Sequence, residues 1–258
     1  MAEALAIRQL TMRFAGLTAV DGLDLAIQDR EIVSLIGPNG AGKTTVFNCV
    51  TGHYSPTAGQ VLLMGGQPLK GLSAHAIAKL GVVRTFQNIR LFGSMSALEN
   101  VMVGRHCRTR TGVLGALFHT PSVGREEKAI RERARELLAF CGISAYEDQE
   151  GRNLPYGVQR RLEIARAMAA DPRILCLDEP AAGMNPRETA DLMALIARIR
   201  DTGVTVFLIE HHMNVVMGLS DRVAVMDHGV KISEGRPSDV QRDRKVIAAY
   251  LGEDNGGA

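Results

Sequence analysis

The run Gly37-Pro38-Asn39-Gly40-Ala41-Gly42-Lys43-Thr44 fits the G-x-x-x-x-G-K-[ST] spacing of a phosphate-binding loop. Glycines let the backbone curl until successive N–H groups point at one anion, and a helix starting behind the loop adds the positive end of its dipole. Lys43 has the reach for β- and γ-phosphates, and the Thr44 hydroxyl is an oxygen suited to Mg²⁺. The setting agrees. Ile32-Val33-Ser34-Leu35-Ile36 reads as a short buried strand before the loop, and 44–50 reads as a helix after it. A glycine-rich turn arising by chance would not bring that strand and helix with it, so the segment reads as a nucleoside triphosphate site.

Phosphoryl transfer needs little beyond positioning and charge stabilisation. Asp178 and Glu179 follow the apolar run Ile174-Leu175-Cys176-Leu177. There Asp178 is placed to hold Mg²⁺ opposite Thr44, and Glu179 to orient and deprotonate an attacking water. An Asp-Glu pair after an apolar run also starts helices; a phosphate loop upstream in the same sheet favours the catalytic role. Gln87 follows the strand-like stretch 82–86. Its amide suits contact with Mg²⁺ or the water and a report of nucleotide state to the insertion it opens, yet by spacing alone it serves equally as a surface glutamine. His211, beyond the strand 204–209 and Glu210, would project toward the γ-phosphate. A lone histidine at a strand end is more often structural.

These side chains demand strands that end around one cleft. Residues 5–36 alternate apolar and polar positions with a turn near Phe14-Ala15-Gly16, giving two or three antiparallel strands ahead of the loop. Residues 61–64 with Gly65-Gly66 make a strand and turn, and Ser73 caps a short helix ending at Gly81. From 88 to 153 no strand pattern interrupts, and 125–141 is amphipathic, with Ile130, Ala134, Leu137, Leu138 and Cys141 on one face. Then the α/β rhythm resumes. After the strand 173–177, Asn185, Pro186 and Glu188 open a helix as N-cap, N1 and N3. It buries Leu192, Leu195, Ile196 and Ile199 and ends at Gly203. A hairpin turns at Asp227-His228-Gly229, and a last helix runs to about Leu251. The expected fold class is α/β, a mostly parallel sheet with nucleotide at the carboxyl ends of its strands. One domain over 1–252 is expected, with a core of 1–87 and 160–252, a helical insertion at 88–159 and a disordered tail at 253–258.

The 258 residues, 46% hydrophobic and 22% charged, suffice for one large α/β domain. A net charge of +2 argues neither for nor against nucleic acid. Arg105-His106-Cys107-Arg108-Thr109-Arg110 reads as a solvated loop, with lipid headgroups or an acidic partner loop as its functional alternative. Cys49, Cys107, Cys141 and Cys176 form no C-x-x-C pair, which disfavours a zinc site and suits a reducing cytoplasm. Glu3, Arg8 and Arg13 interrupt any secretory h-region. The uncharged stretch 44–69 is broken by Gly, Pro, Gln and Asn and makes no bilayer span. A chain soluble by itself is expected.

The segment Leu154-Pro155-Tyr156-Gly157-Val158-Gln159-Arg160-Arg161-Leu162-Glu163-Ile164-Ala165-Arg166-Ala167 resembles the signature region of ABC transporter ATP-binding subunits: L-S-G-G-Q, a Q/R-rich helix, then an acid-ended strand. The order of Phe14, the loop 37–45, Gln87, 154–158, Asp178-Glu179, Ala182-Gly183-Met184-Asn185 and His211 matches, so the resemblance covers 5–252. It implies the P-loop NTPase ABC ATPase fold, with an antiparallel β subdomain and an inserted helical subdomain. Val83-Arg84-Thr85-Phe86-Gln87-Asn88-Ile89-Arg90-Leu91-Phe92, the tyrosine–glycine signature, Leu208-Ile209-Glu210-His211 and Ala249-Tyr250-Leu251-Gly252 look closer still to the LivG-type ATPases of branched-chain amino acid importers. The implied ligands are ATP and Mg²⁺. Adenine would stack on Phe14, and Gly37, Asn39, Gly40, Ala41, Gly42, Lys43, Thr44 and Thr45 would hold phosphates. Thr44, Gln87 and Asp178 would hold the metal, Glu179, His211 and Gln87 would carry catalysis, and Gly157 would meet the ATP of a facing subunit in trans.

Pro155, Tyr156 and Val158 stand where the general signature has Ser, Gly and Gln. Pro155 offers neither hydroxyl nor N–H, which leaves Gly157 and the helix N-terminus to meet the facing ATP. Asn185 and His212 stand where Asp is common. The resemblance further implies a second ATPase subunit, favouring a different chain in a pseudo-two-fold pair. It implies two membrane permeases docked on the helical insertion, with Leu91, Phe92, Met95 and Leu98 in the candidate groove 90–103. A periplasmic or extracytoplasmic binding protein would act indirectly, and the chain would lie peripherally on the cytoplasmic face of the inner (plasma) membrane. No nucleic-acid partner is expected: chromosome-type relatives place long coiled coils between their nucleotide motifs, and no heptads lie between Lys43 and Asp178. A soluble ABC ATPase and a nucleotide sensor without turnover are the rival readings, and urea, amides or other amino acids the rival cargoes.

Overall fold

The computed structural model describes residues 2–108 and 121–251. Thr109, Arg110, Gly252 and the tail 253–258 lie outside the described residues. Strands β1 (Glu3–Phe14) and β2 (Leu17–Gln28) form an antiparallel hairpin that turns at Ala15 and Gly16. With β4 (Ala58–Leu63) and β5 (Gln67–Pro68) they make a four-stranded sheet in the order β2-β1-β4-β5. Two antiparallel strands open the chain, the lower of the two expected counts, and the third strand is β3 (Ile32–Ile36). It crosses to a second sheet and pairs in parallel with β8 (Thr205–Ile209) and β9 (Arg222–Asp227). The reason is burial: β3 is covered at all five positions, as parallel strands roofed on both faces are.

That second sheet adds β6 (Val82–Arg84), β7 (Ile174–Asp178) and β10 (Val230–Gly235), in the order β10-β9-β3-β8-β7-β6. Only the β9–β10 hairpin is antiparallel. Alternate side chains serve two cores. Leu175, Leu177, Val206 and Leu208 face one that they share with α3 (Ala97–Gly104), α4 (Pro121–Phe140), α5 (Tyr156–Met168) and α6 (Pro186–Asp201). Ile174, Cys176, Phe207 and Ile209 face the other, shared with the antiparallel sheet and with α1 (Lys43–Val50), whose Phe47 ring lies 4.6 Å from that of Phe207. A short α2 (Ala74–Lys79) is capped by Ser73, and α7 (Met213–Leu219), α8 (Pro237–Val240) and α9 (Arg244–Leu251) complete the α-helices among the described residues.

Cys49, Cys141 and Cys176 are buried free thiols, and burial pushes them up to about 11, 12 and 12. Helix α5 runs unbroken across position 159, the boundary expected between an insertion and a core. Among the described residues no helix is long and apolar enough to cross a membrane.

Candidate functional site

Residues 37–42 link β3 to α1, and two glycines allow the backbone to wrap. A Cβ at Gly37 (φ 148°) would stand 2.0 Å from the Met226 carbonyl oxygen, and one at Gly42 (φ 99°) 2.4 Å from that of Ala19. Any side chain at either place would force the loop off the sheet. The loop opens into a cleft of about 650 Å³ lined by residues 39–45, Phe14, Thr18, Gln87, Glu179 and His228. Phe14 is 39% exposed at its mouth and is backed by Tyr54, edge to face at 5.2 Å, so one aromatic face is available for a flat ligand. Lys43 Nζ donates to the carbonyls of Gly37 (2.6 Å) and Pro38 (2.7 Å), folding across the loop it would leave for a phosphate.

Of the three predicted catalytic groups, Gln87 and Glu179 line the cleft, and His211, not among its lining residues, lies beside Glu179. Gln87 Nε2 donates to Glu179 Oε2 at 2.7 Å, and His211 Nδ1 lies 3.6 Å from Glu179 Oε1. Glu179 sits just past the end of β7 with φ of 47°, a left-handed conformation uncommon for a side-chain-bearing residue, and its N–H is held by the Ile209 carbonyl at 2.9 Å. The turn after it is organised by Glu210, fully buried. Its carboxylate accepts from the N–H groups of Ala181, His211 and His212 and pairs with His212 Nδ1 at 3.1 Å. The His212 ring in turn packs against that of His211, centroids 4.2 Å apart and planes tilted by 37°.

Asp178 is placed differently from its neighbours. It is buried behind the cleft wall and paired with Arg84 of β6 at 2.6 Å. Thr44 and Gln87 line the cleft; Asp178 and Gly37 are not among its lining residues. Gly157 lies away from it, on the first turn of α5, where an added Cβ would stand 2.8 Å from Glu188 Oε1.

Arg84 and the side chains that tie α5 to Gln87 have no role legible in a sequence motif. Arg160 is fully buried and donates to the carbonyls of Phe86 (2.8 Å) and Gln87 (2.9 Å), while Glu163 Oε1 accepts the Phe86 N–H at 3.3 Å. The two pair with each other at 2.8 Å. Burial pushes the Glu163 carboxyl up, against the opposing pull of Arg160 and the Phe86 N–H. These contacts explain why β6 ends at Arg84 rather than at Phe86 as expected: the backbone beyond Thr85 bonds to α5 instead of β7. Tyr156 donates to the Ala182 carbonyl at 2.9 Å, placing the signature segment against the turn after Glu179. The available signal was charge in an apolar setting: Arg84 inside a buried strand, Arg160 and Glu163 one helical turn apart.

A family model described as "ABC transporter" matches residues 20–182, and one described as "Branched-chain amino acid ATP-binding cassette transporter" matches residues 230–255. The chain is 50% identical over 250 residues to the high-affinity branched-chain amino acid transport ATP-binding protein BraF of Pseudomonas aeruginosa, covering 96% of this chain and 98% of that one. The same figures describe its likeness to the high-affinity branched-chain amino acid transport ATP-binding protein LivG of Escherichia coli. Among solved structures, the ADP conformation of an ATP-binding cassette of an ABC transporter superposes with a TM-score of 0.85 at 30% identity, covering 98% of this chain and all of that one.

Proposed function

The chain belongs to the ATP-binding proteins of ABC transporters, and on that premise we propose that it hydrolyses ATP to power uptake of branched-chain amino acids through a membrane importer. The observation that carries the chemistry is Glu179 at the cleft wall, between Gln87 at 2.7 Å and His211 at 3.6 Å. Lys43 and the N–H groups of the loop bind the β- and γ-phosphates, and Phe14 stacks on adenine. Glu179 takes the proton of the attacking water, Gln87 orients the same carboxylate, and His211 faces the γ-phosphate as charge builds there.

Thr44, Gln87 and Asp178 would hold Mg²⁺. Their donors are all oxygens, as a hard cation requires, and Asp178 already takes a cation in Arg84. When bound, Mg²⁺ supplies positive charge to the phosphate oxygens. Gly157 and the start of α5 would complete the ATP site of a facing ATPase subunit, a second and different chain in a pseudo-two-fold pair.

Of two permeases, one would dock by a helix into the groove of about 410 Å³ lined by Arg90, Phe92, Val103 and Arg166, and the other would dock on the second ATPase subunit. Phe92 is 46% exposed there. An apolar side chain rimmed by arginines suits an amphipathic helix with acidic flanks. The protein would then work peripherally on the cytoplasmic face of the inner membrane, supplied by an extracytoplasmic binding protein. Copurification of tagged Glu179→Gln chain from native membranes with ATP tests this reading. Two permeases and a second ATPase are the expected partners; recovery of ribosomes, DNA or soluble proteins alone would overturn the transport role and leave the ATPase chemistry standing.

A further inference from the structure

Arg84 has no part in the chemistry proposed above, yet it is built into the site. It pairs with Asp178 at 2.6 Å, the two side chains 8% and 6% exposed. Its second terminal nitrogen, Nη1, donates to Asn48 Oδ1 on α1 at 2.6 Å. The guanidinium lies 5.5 Å from the ring centroids of both Phe47 and Phe86, a position that fixes a planar cation from two sides. One residue thus joins α1 behind the phosphate loop, the acid at the end of β7, and the strand that leads three residues later to Gln87.

Arginine keeps its charge in any protein environment. A divalent metal arriving at Asp178 therefore meets a carboxylate already compensated, and two cations sharing one carboxylate in a poorly solvated place oppose each other. We propose that Arg84 is a positioning residue that acts as the resident counter-cation of Asp178. It aligns the carboxylate with α1 before the metal arrives and limits how much Mg²⁺ adds to nucleotide affinity. The inference rests on Asp178 being a metal ligand, as assigned above.

The quantity to measure is the ratio of ATP affinity with Mg²⁺ to ATP affinity in EDTA, by calorimetry on the full chain. Arg84→Gln leaves a polar N–H donor on a shorter side chain but removes the charge, and the ratio is expected to rise at least about fivefold. An unchanged ratio in a folded Arg84→Gln chain would overturn the proposal, because a mere brace between β6 and β7 predicts no change in metal dependence. Asp178→Asn separates the two assignments. If its ratio equals that of wild type, the metal role of Asp178 is wrong. If its ratio collapses while Arg84→Gln stays at the wild-type value, only the role of Arg84 is wrong.

Should Arg84→Gln not fold, arginine side-chain NMR of the wild-type chain decides, with the Arg84 signal identified by its loss in Arg84→Lys. That signal is expected to shift when Mg²⁺ is added to the ATP-bound protein. A signal that Mg²⁺ leaves in place would refute the shared carboxylate.

Discussion

Glu179 answers two demands at once: its backbone takes a left-handed turn at φ of 47°, and its carboxylate is aimed by Gln87 and His211. Holding a residue there costs on the order of 1 kcal/mol, tolerated because the Ile209 carbonyl pins its N–H. Glu179→Gln is expected to bind ATP like the parent and to lose at least about a hundredfold in turnover, read by steady-state hydrolysis beside equilibrium binding. Unchanged turnover would remove Glu179 from the role of base. Groups like these were legible in the sequence because their motifs are local: Lys43 and Thr44 follow the glycines that make the loop, and Glu179 ends an apolar run. Arg84 and Arg160 were not, since their partners stand 94 and 74 positions away and meet them only through the pairing of β6 with β7 and the packing of α5.

At the scale of the element, α5 matters most, because its buried Arg160–Glu163 pair fastens the strand leading into Gln87. Arg160→Met strands the Glu163 carboxylate and is expected to cost about 3 kcal/mol or more in urea unfolding, most of it recovered when Glu163→Leu is added. The pH dependence has a definite sign. Native Glu163 holds its proton more tightly than in the unfolded chain, so its contribution is fullest below the ordinary carboxylate pKa and is lost as pH rises through the elevated native one. Arg160 opposes that shift, and the Arg160→Met chain should therefore lose stability more steeply from acid pH toward neutrality than the parent. The start of α6 makes a smaller, cleaner case. Asn185 and Glu188 form a reciprocal capping box, so Asn185→Ala should cost about 1 kcal/mol and Asn185→Asp almost nothing in the same unfolding assay. That box was readable from four consecutive residues; the early end of β6 was not, because side chains from a distant helix take its backbone groups.

For the molecule as a whole, alternating strands and helices foretold a mostly parallel sheet, but not its order. Which strand lies beside β3 depends on crossovers that leave no local mark, and a buried strand of five apolar-rich residues looks alike in either sheet. The groove lined by Arg90, Phe92, Val103 and Arg166 shows the same limit. Of Leu91, Phe92, Met95 and Leu98, placed in it from the sequence, Phe92 alone lines it and Leu98 is buried in the core, whereas Arg166, whose guanidinium reaches back to the Arg90 carbonyl, enters from α5. Phe92→Asp is expected to abolish recovery of membrane partners while ATP binding persists, and retained partners would move the docking surface elsewhere.

The three buried thiols turn this architecture into a set of clocks. Cys49 lies on α1 behind the phosphate loop, Cys141 in the turn just after α4 and Cys176 inside the parallel sheet. Only the thiolate reacts with alkylating agents, and each of these is held protonated and covered. In a chain carrying Cys107→Ser, the rate at which each thiol reacts would therefore time the opening of its own neighbourhood, and a ligand that seals the cleft should slow Cys49 before it slows Cys141.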